Sequence, residues 1–487
     1  MRSRPLPLAQ DATPGHPPAR VLVAHSYFLR YDSKQLEKMK PYPPLGTLLA
    51  AAALRESGFR VSFFDAMLSP GTEAFAARVA SERPPLVGIF EDNFNFLTKM
   101  CTTRMRDAAL EMIRAARASG ARVAVNGSDA TDRPELYLAA GAHAVIRGEV
   151  EETARRLFAL WAVDPEAPLE GLAGLVLPGG RGETAPAPTL HDLERLPLPA
   201  WDLVDVEAYR GAWTGAHGRL SWNVATSRGC PYGCNWCAKP VFGRRYTQRS
   251  PGAVAKEMSA LKADVRPDHL WFADDIFGLT SDWIEAFAAE VERRQAAVPF
   301  TIQSRVNLMT PRTTAALERA GCQEVWMGVE SGSQAVLDGM EKGSTVRQAR
   351  EATRNLRRAG VRACWFIQLG FLGEGWDDIL ATRDLVRSER PDDIGVSVSY
   401  PLPGTRFYEM VQSQLGAKRN WADSDELAMM FEGTYTTAFY RKVRALLHDE
   451  VRGAHGEAGQ DRSRLDRRWS ELARVEERHR SARPTRV

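Results

Sequence analysis

At 487 residues the chain is too long for one ordinary domain, and 44% hydrophobic residues are ample for sizeable cores, so two or three domains are expected. Lys+Arg 64 against Asp+Glu 61 leaves a formal charge of +3, which gives no global field for nucleic acid or an anionic membrane; the charges read as solvated surface. No 18-residue apolar run occurs and no apolar stretch follows Met1-Arg2-Ser3-Arg4-Pro5, so neither a membrane span nor a leader is expected, and a cytoplasmic protein with reduced thiols is.

In chain order, residues 1–18 carry five prolines and little that packs, and read as a disordered tail. Residues 19–25 form an apolar strand. Pro43-Pro44-Leu45-Gly46 then opens an Ala/Leu-rich helix over 47–57, ended by Gly58. Strands at 59–65, 85–90, 121–127 and 144–148, with a helix over about 98–119, continue the alternation. The pattern predicts an α/β fold with an open, doubly wound sheet over 19–153. Ligands of such sheets bind beyond the carboxyl ends of the strands, where His25, Asp65, Glu91, Asp92, Asn93, Asn126 and Gly127 fall. Residues 154–219 read as a connector, with a short helix, a hairpin around Pro178-Gly179-Gly180 and an extended proline-rich stretch over 196–202.

The strand at 220–225 delivers the chain to Thr226-Ser227-Arg228-Gly229-Cys230-Pro231-Tyr232-Gly233-Cys234-Asn235-Trp236-Cys237-Ala238-Lys239-Pro240. Three of the six cysteines fall here, spaced C-x3-C-x2-C, on a loop that can bring three thiolates towards one point. No Cys or His lies near enough in sequence to complete a four-ligand set locally, so a bound iron would keep an open position; a zinc knuckle with a distant fourth ligand is the other reading. Cys101, Cys322 and Cys364 are isolated in or beside apolar segments and read as small buried residues. Five further strands are expected at 269–273, 300–304, 324–329, 363–369 and 394–400, separated by helical runs at 253–261, 283–293, 313–320, 346–359 and 376–386. In such parallel barrels the chemistry gathers at the carboxyl ends of the strands.

Cys230, Cys234 and Cys237 with Trp236 before the last cysteine resemble the signature of the radical S-adenosylmethionine (SAM) enzymes. Resemblance implies a partial (β/α)6 TIM-type barrel over 220–415, a [4Fe-4S] cluster on the three cysteines, and SAM chelated to the open iron. SAM cleavage then yields a 5′-deoxyadenosyl radical that abstracts hydrogen from a small organic substrate, with electrons from a donor such as flavodoxin or ferredoxin. By the same resemblance Trp236, Asp274, Asp275, Arg305, Glu330, Ser331 and Leu372 contact SAM, Asp274 and Asp275 on its amino group, Arg305 on its carboxylate, and Glu330 and Ser331 near its ribose. Asp274 and Asp275 also suit a helix cap or acid–base work.

The segments Pro43-Pro44-Leu45-Gly46, Val123-Ala124-Val125-Asn126-Gly127 and Gly148-Glu149-Val150-Glu151-Glu152-Thr153, in that order before the cysteines, resemble the Rossmann-like cobalamin (vitamin B12)-binding domain of cobalamin-dependent radical SAM enzymes. They make Pro44, Leu45, Gly46, Asn126, Gly127, Gly148 and Glu149 cobalamin contacts. The D-x-H-x-x-G motif that supplies a histidine to cobalamin is absent, and His143 reads as a satisfied histidine; a degenerate module that only contacts substrate is the plainer reading of the domain. The basic, aromatic loop 242–250 reads as a cap over cluster or substrate rather than a nucleic-acid patch. Beyond Gly416 a helical region is expected, its Met- and aromatic-rich block 421–440 roofing a pocket or packing as core, with a charge-rich solvated helix and tail from about 451. Within the cobalamin-dependent radical SAM enzymes the chain resembles the anaerobic magnesium-protoporphyrin IX monomethyl ester cyclase and class B radical SAM methyltransferases. The resemblance implies methyl transfer to an unactivated carbon, with oxidative cyclisation as the alternative and a non-catalytic metal-binding scaffold as the remote one.

Overall fold

The computed structural model describes residues 19–100, 102–179, 182–237, 242–416, 420–426, 428–456 and 461–481. The readings of 1–18, of Cys101 and of positions 238–240 lie outside them. The first sheet contains β1 (Arg20–Ala24), β2 (Arg60–Phe64), β3 (Leu86–Phe90), β4 (Arg122–Asn126), β5 (Ala144–Ile146), β6 (Leu175–Leu177) and β7 (Gly182–Glu183), in the order 2-1-3-4-5-6-7. β1 to β5 are parallel, and β3 is buried along its whole length, as apolar runs covered by helices on both faces must be. The strand order reverses between β1 and β3, which opens the ligand crevice of a doubly wound sheet there. The hairpin read in the connector exists, but it joins this sheet: β6 and β7 run antiparallel beside β5. Leu175, Val176 and Leu177 are all buried there, covering an edge that β5 alone would leave open. The single helix read over 98–119 is two, Phe96–Met100 and Thr103–Ala118, because Thr102 between them is extended and the Thr103 amide turns to the Trp421 carbonyl.

The second sheet holds β8 (Ser221–Val224), β11 (His269–Phe272), β12 (Phe300–Ser304), β13 (Cys322–Glu330), β14 (Arg362–Leu369) and β15 (Asp393–Val398), all parallel and paired in that order, with β8 and β15 at the edges. This is the open six-stranded barrel expected. Two short strands, β9 (Ser227–Arg228) and β10 (Thr247–Gln248), pair antiparallel and clip the two ends of the cysteine loop together.

The helix Val206–His217, unread in the sequence, seals the two sheets. Its Tyr209 hydroxyl donates to Asp65 Oδ2 (2.8 Å) and its Trp213 indole to the Pro41 carbonyl (2.6 Å), while Asn223 on β8 donates to the Pro43 carbonyl (2.9 Å). One apolar core therefore runs from Tyr27, Leu48 and Met67 through Trp222 into the barrel. After Gly416 the expected helices come later than read: residues 420–426 and 428–436 are irregular, and helices span Thr437–Ala454 and Arg462–Val475. Turn formers at Asp423-Ser424-Asp425 and the Gly433-Thr434 pair disfavour an earlier start. The charge-rich segment is not merely solvated: Leu465, Trp469 and Leu472 are buried, and the Trp469 indole donates to Glu450 (2.7 Å), which also pairs with Arg387. Among the described residues no helix is long and apolar enough to cross a membrane.

Candidate active site at the domain seam

The cysteine loop is rooted by Asp274 at the end of β11. Its Oδ1 accepts from the Thr226 amide (3.0 Å), the Thr226 hydroxyl (2.9 Å) and the Ser227 hydroxyl (2.5 Å). Burial pushes this carboxyl up to about 6, against those donors. At Gly229 φ is +78°, and a Cβ there would collide with the Arg245 carbonyl, so the loop passes only as glycine. Beyond it, Asn235 donates from its amide to the Met340 carbonyl (3.1 Å) and from its side chain to the Gly339 carbonyl (2.8 Å), and accepts from the Phe407 amide (3.1 Å). Cys234 is buried, and Cys230 and Cys237 are partly exposed. Among the described residues no three Cys, His, Asp or Glu side chains come together as a single-ion set, so the convergence on one point suggested by the spacing is not found. Thiolates that each take a different iron of one cluster do not need it. Cys322 and Cys364 are buried core thiols, their ionisation driven far upward by burial.

Arg305, after β12, lies against the loop. Its Nη1 is 3.4 Å from Cys234 Sγ, its guanidinium 3.8 Å from the Tyr232 ring centre, and its Nη2 donates to the Lys342 carbonyl. Lys342 in turn places Nζ 2.6 Å from Glu330 Oε1 and 5.8 Å from the Trp236 ring centre. Glu330 sits in the left-handed region, φ +65°, at the turn ending β13, and a Cβ at Gly328 would meet the charged ends of both partners of this ion pair. Leu372 packs in the same apolar cluster as Trp236. Cys234, Trp236, Arg305, Glu330 and Leu372 are thus brought together. Ser331 is turned into the loop, accepting from the Ser333 amide (3.1 Å) and meeting the Thr382 hydroxyl (3.2 Å). Asp275 pairs across the seam with Lys99.

On the other side, Pro44 precedes the helix Leu45–Glu56, and the Gly46 amide donates to Asp92 Oδ1 (2.9 Å). A Cβ at Gly46 would press on the Asn93 amide and Asp92 at 3.3 Å. Asn126 joins three strand ends: its Nδ2 donates to the Ile146 (2.9 Å) and Gly148 (3.1 Å) carbonyls, and its Oδ1 accepts from Asn93 (3.0 Å). Gly127 follows it and opens the short helix Ser128–Asp132. A Cβ at Gly148, φ +78°, would meet only open space. Leu45 packs with Phe94, Ala225 and Ala273 across the seam, beside a cavity of about 300 Å³ that Arg228 and Arg249 also line. Both Glu149 oxygens are engaged, Oε1 by Arg228 Nη1 (2.7 Å) and Oε2 by the Leu190 amide (2.6 Å). His143 is satisfied: its Nδ1 accepts from the Val123 amide (2.9 Å), and burial lowers its pKa to about 4.

Some of the buried polar atoms without a partner lie where bound groups would meet them. His25 Nδ1, Asn93 Oδ1, Ser128 Oγ and Thr131 Oγ1 lie at the carboxyl edge of the first sheet, donors and acceptors together; Asn235 Oδ1 and Trp236 Nε1 lie beside the cysteines. The first set suits a ligand rich in amide and phosphate groups, and three loop thiols suit an iron–sulfur cluster. Sequence reasoning passed over Lys342, Lys99 and Glu151. Lys342 sits in Glu341-Lys342-Gly343-Ser344, where no periodicity singles it out, and Lys99 and Glu151 gain meaning only from the docking of the domains.

A doubly wound sheet feeding an open parallel barrel, with three cysteines after the first barrel strand, is the arrangement that the resemblance to cobalamin-dependent radical SAM enzymes implies. Residues 40–158 match the B12 binding domain and residues 224–386 the Radical SAM superfamily. An uncharacterised methyltransferase of Pyrococcus horikoshii is 26% identical over 84% of this chain and 90% of its own length. The anaerobic magnesium-protoporphyrin IX monomethyl ester cyclase of Synechocystis is 26% identical over 75% of this chain and 72% of its own. Among solved structures, the radical SAM methyltransferase TsrM of Kitasatospora setae, with cobalamin and a [4Fe-4S] cluster bound, superposes with a TM-score of 0.67 at 21% identity, over 82% of this chain and 75% of that one. The chain is therefore an enzyme that carries a B12 binding domain and a Radical SAM domain, and the cofactors of the two are cobalamin and, for the second, a [4Fe-4S] cluster with SAM.

Proposed function

We propose that the enzyme transfers a methyl group to an unactivated carbon of a small organic substrate. When bound, the cluster with SAM supplies a 5′-deoxyadenosyl radical and cobalamin carries the methyl group. Cys230, Cys234 and Cys237 hold the cluster, Arg305 offers a guanidinium to the SAM carboxylate, Glu330 lies towards its ribose with Ser331 holding the turn beside it, Asp275 lies towards its amino group, and Trp236 and Leu372 towards its apolar side. Asp274 keeps the loop in place rather than moving a proton, since its Oδ1 already serves three donors. Pro44, Leu45, Gly46, Asn126, Gly127, Gly148 and Glu149 frame the cobalamin side, Glu149 through its hold on Arg228. We also infer domain limits of 19–153, 154–219, 220–415 and 416–487, a flavodoxin- or ferredoxin-type electron donor, and a cytoplasmic setting.

The observation that carries the reading is the direct apposition of the two expected cofactor edges: Leu45 and Phe94 of the first domain share one apolar cluster with Ala225 and Ala273 of the barrel. A methyl carrier and a radical generator must face a common substrate. The test is anaerobic reconstitution with iron, sulfide and hydroxocobalamin, then SAM turnover under strong reductant, resolving 5′-deoxyadenosine from S-adenosylhomocysteine. Both products support methyl transfer. 5′-Deoxyadenosine alone, with cobalamin retained and substrate consumed, transfers the assignment to cyclisation, the activity named for the Synechocystis relative.

A further inference from the structure

Arg228 lies two residues before Cys230 and is 5% exposed. Its guanidinium meets Glu149 at 2.7 Å and Glu151 at 2.5 Å, both on the segment that ends the first domain's parallel run. It also lies over two rings, 5.0 Å from the centre of Phe242, after the cysteine loop, and 5.7 Å from that of Phe94, after β3. Two routes reach it from the cobalamin side. One runs from Gly148 through the neighbouring Glu149. The other runs from Gly46 to Asp92 Oδ1, which also accepts from the Phe94 amide (3.2 Å), and from the Phe94 ring to the guanidinium. On the cluster side Arg228 is fixed by the β9–β10 clip, and the next residue is the glycine that no side chain can replace.

A buried guanidinium with two carboxylates cannot shift by half a contact. Separating it from either one strands a largely buried carboxylate without its partner, which costs more than any single exposed contact returns. A contact this costly to leave half-made suits an element that links the two sides. Resting on the cofactor assignment proposed above, we propose that Arg228, with Glu149 and Glu151, is a positioning device that couples cobalamin binding to cluster loading: each cofactor, by ordering its own loop, sets the guanidinium for the other. Coupling of this kind is reciprocal and commonly amounts to about tenfold in affinity.

The experiment is the dissociation constant of hydroxocobalamin, measured anaerobically on the full chain before and after cluster reconstitution. It compares the native protein, Arg228→Lys, and the charge-free Arg228→Met/Glu149→Gln/Glu151→Gln protein, which leaves no orphaned charge to unfold it. In the native protein the cluster should tighten cobalamin binding about tenfold. In the charge-free protein the ratio of cobalamin affinities with and without the cluster should fall to about one, whatever Glu149→Gln does to the absolute affinity, and Arg228→Lys should fall between because a point charge cannot serve both carboxylates. Equal native affinities with and without cluster, or a tenfold ratio surviving in the charge-free protein, overturns the coupling while leaving the cofactor assignment intact. A native protein that binds no cobalamin overturns both.

Discussion

Lys342 stands 2.6 Å from Glu330 and 5.8 Å from the centre of Trp236, so an ammonium absent from the recognisable motifs neutralises the carboxylate expected to lie towards the SAM ribose. Both side chains are under one-tenth exposed. Lys342→Met should therefore lower stability by about 3–5 kcal/mol, the cost of stranding a buried carboxylate. Lys342→Met/Glu330→Gln should recover most of it. Denaturant midpoints of the three proteins decide the matter; a double variant no more stable than the single one would show that packing rather than charge is at stake.

Asp274 accepts from three donors at the root of the cysteine loop. Asp274→Asn keeps an acceptor oxygen and should retain most of the iron and sulfide after reconstitution. Asp274→Ala leaves those donors buried without an acceptor, at about 1–3 kcal/mol each, and should lose the cluster. Iron and sulfide per chain are the measurement. If Asp274→Asn keeps its cluster yet abolishes SAM cleavage, the carboxylate also contacts SAM or moves a proton, and the purely structural role is refuted.

Gly229→Ala meets both a positive φ and the Arg245 carbonyl. It should leave the far-ultraviolet circular dichroism of the apo-protein unchanged and reduce cluster content to about a tenth, because the strain is confined to the loop.

Glu374, fully buried, accepts from the Gly370 amide at 2.6 Å while its Oε1 has no partner. Burial pushes its carboxyl up to about 8, against the Gly370 donor. Below pH 4.5 the group is protonated in both folded and unfolded chains and costs nothing. As pH rises towards about 8 the unfolded chain releases the proton and the folded one keeps it, so stability falls by about 5 kcal/mol over that window and then levels. Glu374→Gln should lack this contribution. Melting curves from pH 5 to 8.5 test it: equal pH slopes in the two proteins would refute the assignment.

The barrel was legible because each strand is an apolar run bounded by turn residues, and Phe300–Ser304 matches the reading residue for residue. The cysteine loop was legible because spacing survives without tertiary context. The hairpin of the connector was legible from its turn residues, but the sheet it joins was not, because only the bare edge of β5 recruits Leu175-Val176-Leu177. The helix Val206–His217 carries polar and small residues at most positions, and its buried Tyr209 and Trp213 acquire partners only once the domains meet. Glu149 illustrates the limit at the site. The residue type and place were readable, but that it grips Arg228 depends on docking two domains whose facing residues lie 79 positions apart.

The most direct test of the central claim is electron paramagnetic resonance of the anaerobically reconstituted, reduced protein, recorded with and without SAM. The account predicts one reduced [4Fe-4S] signal whose shape changes when SAM is added and which is absent from Cys234→Ala. Zinc in place of iron, or a cluster signal that SAM leaves unchanged, would contradict it.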